Sequence, residues 1–266
     1  MRQFYGQSLK RFETGGITLV ESRYGPSQKN PRHSHSDSTF CLVLQGGFTE
    51  FHLGRATTCQ PSTLLFYPSG ASHEDHFQMK GGRCFIVELK PFWVEQLREH
   101  SAHLDRAAHF HGGRLSALAL KLYREFSFTD DLSPLLIESL TLEMLAVGSR
   151  CLKPFPDRTP RSLQSAREMI RAHFSEQLTL TEIARTVGLH PVYLASEFRR
   201  RFDCTVGEYV RGLRIEFACQ RLSQTCESLA SVAAAAGFFD QSHFTRTFKH
   251  ATDMTPAEYR SAFKPL

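Results

Sequence analysis

From about residue 17 to 90, apolar and polar positions alternate over short runs: "ITLVESRY", "TFCLVLQGGFTEFHLG", "TLLFYPSG" and "RCFIVELK". A period of two belongs to strands with one buried face, and the intervening Gly-Gly, Pro-Ser-Gly and second Gly-Gly read as hairpin punctuation. The expected product is a small antiparallel β-barrel or sandwich. The period then changes, because in "RLSALALKLYREF" (114–126) and "SPLLIESLTLEMLAVGSR" (133–150) the leucines recur at helical spacing. In "CLKPFPDRTPRS" (151–162) three prolines stop any helix and leave an extended connection. Every pattern beyond it is helical. The expected chain is multidomain α+β: residues 1–150 form the barrel with its following helices, 151–162 the linker, and 163–266 an all-α domain.

The helical half contains an internal repeat. "LTEIARTVG" (180–188) matches "LASVAAAAG" (229–237) at an offset of 49, pairing Ile183 with Val232, Ala184 with Ala233 and Gly188 with Gly237. After a one-residue insertion the offset is 50, pairing Leu194 with Phe244, Phe198 with Phe248 and Arg199 with Lys249. Each copy predicts a short helix with a small Ala at the crossing, a Gly for the sharp turn, and a second helix with an apolar pair at i and i+4. That is a helix-turn-helix, twice. If Leu194 and Phe198 face the core, Val192, Ala195, Ser196 and Arg199 face outward; if Phe244 and Phe248 do, Gln241, Ser242, Thr245 and Arg246 face outward.

These outward residues suit base edges in a major groove: Gln241 can pair with adenine, Arg246 with guanine, and Val192 and Ala195 can touch thymine methyls. Asp240 is placed to cap the second such helix. Arg200, Arg201 and Lys249 are candidate phosphate contacts. Between the copies, "VGEYVRGLRIEFACQRLS" (206–223) predicts an 18-residue helix with Val210, Leu213, Phe217 and Leu222 on one side. At 1.5 Å per residue it would span about 27 Å, near the roughly 34 Å between successive major-groove faces.

Composition narrows the picture without deciding it. A length of 266 residues suggests two domains, and 41% hydrophobic with 22% charged residues is ordinary for a soluble globular chain. The net charge of +5 is modest: residues 161–266 carry 14 Lys and Arg against 11 Asp and Glu, and residues 1–160 carry 18 against 16. Charge alone would not identify a nucleic-acid binder; placement does. The seven cysteines form no C-x-x-C pair, which fits reduced, mostly buried thiols better than a disulfide frame or zinc knuckle. No signal-peptide core and no membrane-length apolar run is present, so a cytoplasmic location without membrane partners is expected. Catalytic triads, phosphate loops and paired acid/base carboxylates are absent as motifs, and no enzyme activity is expected.

Residues 163–263 resemble the AraC/XylS family of bacterial transcription regulators, with "VAAAAGFFDQSHFTRTFKHATDMTPAEYR" close to the family's C-terminal signature. The resemblance implies base-facing roles for Val192, Ala195, Ser196 and Arg199, and for Gln241, Ser242, Thr245 and Arg246. Where the family usually has Gly after each recognition helix, this chain has Asp203 and Asp253; Asp can enter the left-handed conformation that Gly favours, at small cost.

The N-terminal half resembles the cupin-like sensor barrel such regulators often carry, on "HSHSDSTFCLVLQGG" and "YPSGASHEDHF". In metal-binding cupins two histidines, a glutamate and a later histidine hold the ion. Here His33, His35 and His73 stand at comparable places, Thr39 or Phe40 occupies the glutamate position, and Asp37 or His76 could assist. No metal or other cofactor is expected; His33, His35, Tyr67 and His73 are expected to line an effector pocket instead. Phe40, Phe48, Phe51, Phe66 and Phe85 complete the aromatic stock.

Together these readings predict a sequence-specific regulator that binds double-stranded promoter or operator DNA and senses a small-molecule effector. It should form a homodimer through the helices after the barrel, with its N-terminal arm involved in the response and RNA polymerase an admissible partner. The alternatives are a metal-dependent cupin enzyme fused to a DNA-binding domain, and an architectural DNA protein without a ligand.

Overall fold

The structure, a computed structural model, describes residues 5–98, 104–152, 160–202 and 204–263. Its contacts separate the chain into two compact units, Met1–Lys153 with Glu258–Leu266, and Pro154–Ala257. The first unit therefore includes the chain's last nine residues, which the sequence assigned to the 163–266 domain. Within it, Tyr259 is fully buried with its hydroxyl 2.8 Å from Ser62 Oγ.

The first unit holds β1 (Gln7–Thr14), β2 (Ile17–Tyr24), β3 (Lys29–Ser34), β4 (Ser38–His52), β5 (Arg55–Cys59), β6 (Thr63–Tyr67), β7 (Ser72–Leu89) and β8 (Ala108–His111). They form one antiparallel sheet of order β1-β2-β7-β4-β6-β8, with β3 on β7 and β5 on β4. The two Gly-Gly pairs are not the expected hairpins. They lie inside the long strands β4 and β7, opposite one another, where the register slips. Gly46 and Gly81 both have φ 67°, and a Cβ on Gly46 would sit 2.0 Å from the Gly81 carbonyl oxygen. Only glycine allows this backbone approach, and the paired bulges bend both strands. As a result Val43 and Phe48, on either side of the bend in β4, share one apolar cluster with Phe77 and Cys84, on either side of the bend in β7.

The other sheet face packs on helices. Phe40 and Phe66 meet at 4.7 Å, and Phe85 lies 5.3 Å from Phe126 of α2 (Gly113–Ser127). Phe48 and Tyr67 belong to the inner cluster, whereas Phe51 is largely exposed. α1 (Pro91–Arg98) precedes β8, and α3 (Ser133–Leu152) packs on α2 and runs two residues into the expected linker. Leu115, Leu118, Leu120, Leu122 and Leu145 are buried, while Leu132, Leu135, Leu136 and Leu142 remain exposed.

The second unit contains α4 (Arg161–His173), α5 (Leu180–Thr186), α6 (Pro191–Phe202), α7 (Val206–Gln224), α8 (Leu229–Ala235) and α9 (Gln241–Thr252); α10 (Pro256–Ala262) follows. Thr179 and Thr205 close capping boxes with Glu182 and Glu208, which fixes where α5 and α7 begin. α7 spans the expected helix, but its buried residues are Ile215, Ala218, Cys219 and Leu222; Val210 and Leu213 are partly buried against the first core. That core gathers Leu163, Ala166 and Ile170 with Ile183, Ala184, Leu194 and Phe198. Among the described residues no helix is long and apolar enough to cross a membrane. The described cysteines form no disulfide; Cys59, Cys84 and Cys219 are buried, Cys41 and Cys204 partly so, and Cys151 and Cys226 are exposed.

Candidate nucleic-acid interface and effector cavity

The repeat folds as two copies of one unit. In each, the small residue of the first helix is buried, Ala184 in α5 and Ala233 in α8, and the turn glycine has positive φ, 69° at Gly188 and 80° at Gly237. In each second helix the i, i+4 apolar pair is fully buried, Leu194 with Phe198 and Phe244 with Phe248. Helical geometry then fixes what faces water. Val192, Ser196 and Arg199 are exposed on α6 and Ala195 is half-buried beside them; on α9 Gln241, Ser242 and Arg246 are exposed and Thr245 is half-buried.

The N-terminus of α9 is locked locally. Asp240 accepts a 2.6 Å hydrogen bond from the His243 backbone, so the first turn presents Gln241 and Ser242 in a fixed frame. At its other end Asp253 adopts φ 55° and ψ 17°, the left-handed conformation expected of it; Asp203 lies outside the described residues. The basic run on α6 is not uniform. Arg200 clamps Glu197 with contacts of 2.9 and 2.7 Å, and Arg201 reaches the same carboxylate at 3.1 Å. The two guanidiniums hold the Glu197 carboxyl down to about 2. Arg199 and Lys249 are exposed.

In the first unit, His33, His35, Tyr67 and His73 line one cavity of about 40 Å³, joined by Tyr24 and Asp75. One water needs roughly 10–15 Å³ of such space, so this volume suits a few waters or a ligand of a few atoms. His73 stacks on Tyr67 at 4.0 Å between ring centres and lies 4.3 Å from His33. Burial pushes His35 down to about 4 and His73 to about 3, with neighbouring imidazoles adding repulsion, so both rings are neutral at physiological pH. Burial acts oppositely on Asp75, raising it to about 7. Asp75 Oδ1 is buried without a hydrogen-bond partner among the described residues, and a buried orphan of this kind is costly.

The ring nitrogens of His33, His35 and His73 lie within 4.8 Å of one another, a spacing that admits a divalent ion. Nδ1 of His33 is 2.8 Å from the Pro31 carbonyl oxygen, which orients that ring. The other suggested helpers point elsewhere: Asp37 pairs with Lys90 at 3.2 Å and His76 with Glu74 at 2.5 Å. Thr39 reaches the cavity, while Phe40 faces the helices.

Sequence reasoning missed Asp75 and Glu50, the latter only 1% exposed. The signal was available. Alternation puts Asp75 on the same strand face as His73 and Phe77, and Glu50 on that of Phe48, so a carboxylate at either place must point inward.

A helix-turn-helix domain model matches residues 183–262. The chain is 26% identical to an uncharacterized HTH-type transcriptional regulator, YobQ, of Bacillus subtilis over 234 residues, 86% of this chain and 88% of that protein. It is 27% identical to the arabinose operon regulatory protein of Escherichia coli over 233 residues, 83% of this chain and 79% of that protein. A solved AraC-type DNA-binding-domain regulator from Chromobacterium violaceum is 29% identical, with a TM-score of 0.37 over 39% of this chain and 92% of its own.

Proposed function

The chain belongs to the AraC/XylS family of DNA-binding transcription regulators, and from that premise we propose that α6 and α9 each read one major groove of an operator while the cavity among the strands holds the effector. The observation that carries this reading is the matched burial in the two copies. Leu194 with Phe198 and Phe244 with Phe248 turn inward, leaving corresponding faces outward on two helices of equal length.

Val192, Ala195, Ser196 and Arg199 contact bases or the adjoining backbone from α6, and Gln241, Ser242, Thr245 and Arg246 do so from α9. Lys249 and Arg199 supply phosphate contacts. Arg200 and Arg201 contribute less than their charge suggests, because each must share or leave Glu197 before meeting a phosphate. The protein works in the cytoplasm as a regulator rather than an enzyme.

The effector is small and carries hydrogen-bonding groups, since it must satisfy Asp75 Oδ1 among neutral imidazoles within a confined space. Its binding changes DNA affinity or dimer geometry. The exposed Leu132, Leu135, Leu136 and Leu142 on and before α3 supply the apolar surface for a homodimer. A second reading has its own observation: the three clustered imidazoles favour a divalent ion as the effector itself. Selection of random duplex DNA by the purified protein tests the main reading. Two enriched blocks about 10 base pairs apart support it; no enrichment with or without cell-extracted small molecules contradicts it.

A further inference from the structure

Away from the histidine-lined cavity, three strands bring a second set of ligating groups together. Glu50 from β4, Cys59 at the end of β5 and His109 from β8 place a carboxylate oxygen, a sulfur and an imidazole nitrogen all within 4.8 Å of one another. Glu50 and Cys59 are 1% and 0% exposed, whereas His109 keeps 22% of its side chain open to solvent. The site thus has a buried floor and an entry path.

His109 Nε2 lies 2.5 Å from Glu50 Oε2, and the Tyr67 hydroxyl also bonds to this buried carboxylate. The Cys59 thiol makes a long 3.8 Å contact to the Thr57 carbonyl oxygen and a bond to the Glu50 backbone. A buried carboxylate, a buried thiol and an imidazole from three strands thus converge with ligating atoms inside 4.8 Å.

We propose that Glu50, Cys59 and His109 form a binding site for a divalent d-block ion, zinc in the first instance, with water as the fourth ligand. Mixed oxygen, nitrogen and sulfur donors suit a borderline-soft, four-coordinate ion. Bond lengths of about 2.0–2.3 Å imply ligand–ligand edges of roughly 3.3–3.6 Å. The ion therefore parts the imidazole from Glu50 Oε2 by under about 1 Å and draws Cys59 inward. Binding replaces the thiol proton and any proton on His109 Nε2, both of which pass to solvent.

The position gives the ion a consequence. β8 is the end strand of the sheet path and pairs only with β6 among the described residues. It runs through Gly112 and Gly113, at φ 72° and 73°, into α2. An ion bridging β4, β5 and β8 clamps the strand that feeds this helix. This inference is independent of how the chain reads DNA.

The test is titration of metal-free, fully reduced full-length protein with cobalt(II), followed by absorbance. The expected result is one thiolate-bound ion per chain, seen as a thiolate-to-cobalt charge-transfer band with the strong visible bands of tetrahedral cobalt, whether or not the His33, His35 and His73 cluster takes a second ion. Cys59→Ser should abolish the charge-transfer band, and His109→Gln should weaken binding at least tenfold, while a His33→Gln/His73→Gln variant keeps the band. If His109→Gln does not fold, Cys59→Ser, which alters no charged partner, decides alone. The proposal is overturned if no thiolate band forms, if the band survives Cys59→Ser and so arises at exposed Cys151 or Cys226, or if it vanishes in the His33/His73 variant.

Discussion

A Cβ on Gly237 would lie 2.2 Å from the carbonyl oxygen of Ser175, so the second helix-turn-helix is seated against the loop after α4 at a point where only glycine fits. Its counterpart in the first copy, Gly188, has the same left-handed backbone but nothing within 4 Å of such a Cβ. Gly188→Ala should therefore cost about 1 kcal/mol, the conformational penalty alone. Gly237→Ala should cost upward of about 2 kcal/mol, because backbone must also move. Urea unfolding of the two variants checks this; equal losses would mean that the approach to Ser175 is not a constraint.

The cavity histidines make stability fall in acid. An unfolded histidine takes up its proton near its ordinary value of 6.5, whereas His73 resists until about 3 and His35 until about 4. Stability is therefore lost progressively as pH drops below 6.5, by up to about 3 kcal/mol for His73 by pH 4. His73→Phe, which retains the stack on Tyr67, should flatten the loss of Tm between pH 6.5 and 4. An unchanged slope would show that His73 titrates normally.

Asp75 produces the opposite slope. Its folded value is raised to about 7 from an ordinary 3.8, so the folded state holds a proton that the unfolded chain has already released. Stability from this group declines as pH climbs from about 4 to 7, partly cancelling the histidine trend in the native chain. Asp75→Asn should gain on the native protein steadily across that window. Parallel curves for the two would contradict the assignment.

Leu135 and Leu142 are seven residues apart on α3 and both exposed, at 67% and 46%. Replacing both with Glu should convert a dimer into a monomer in light scattering without lowering Tm by more than a degree or two. A native protein that is already monomeric, or a variant that remains dimeric, would remove this face from the interface.

The helical half was legible because its information is local: a repeat offset, an i, i+4 apolar pair and capping residues such as Asp240 act within one or two turns. The β half was legible only as strands. Gly46–Gly47 and Gly81–Gly82 announce unusual backbone in either a hairpin or a bulge, and which it is depends on a strand distant in sequence. β1, the first strand, escaped notice because its burial is too weak to impose a clear alternation. The basic run 199–201 reads as three cations in sequence, but Glu197, three and four residues before Arg200 and Arg201, pairs with both. Inward carboxylates at Glu50 and Asp75 were readable from alternation, yet their partners come from other strands.

The central claim is that two helices read two grooves, and the most direct test compares the motif selected from random duplex DNA by the native protein with that of two variants. Ser196→Ala/Arg199→Ala alters the outward face of α6, and Gln241→Ala/Arg246→Ala that of α9; neither touches the buried pairs. The account predicts that each variant loses preference in a different one of two blocks about 10 base pairs apart, with a cost of roughly 1–3 kcal/mol per lost base contact. Variants that weaken binding uniformly while leaving both blocks intact would contradict it, and would make these helices phosphate anchors.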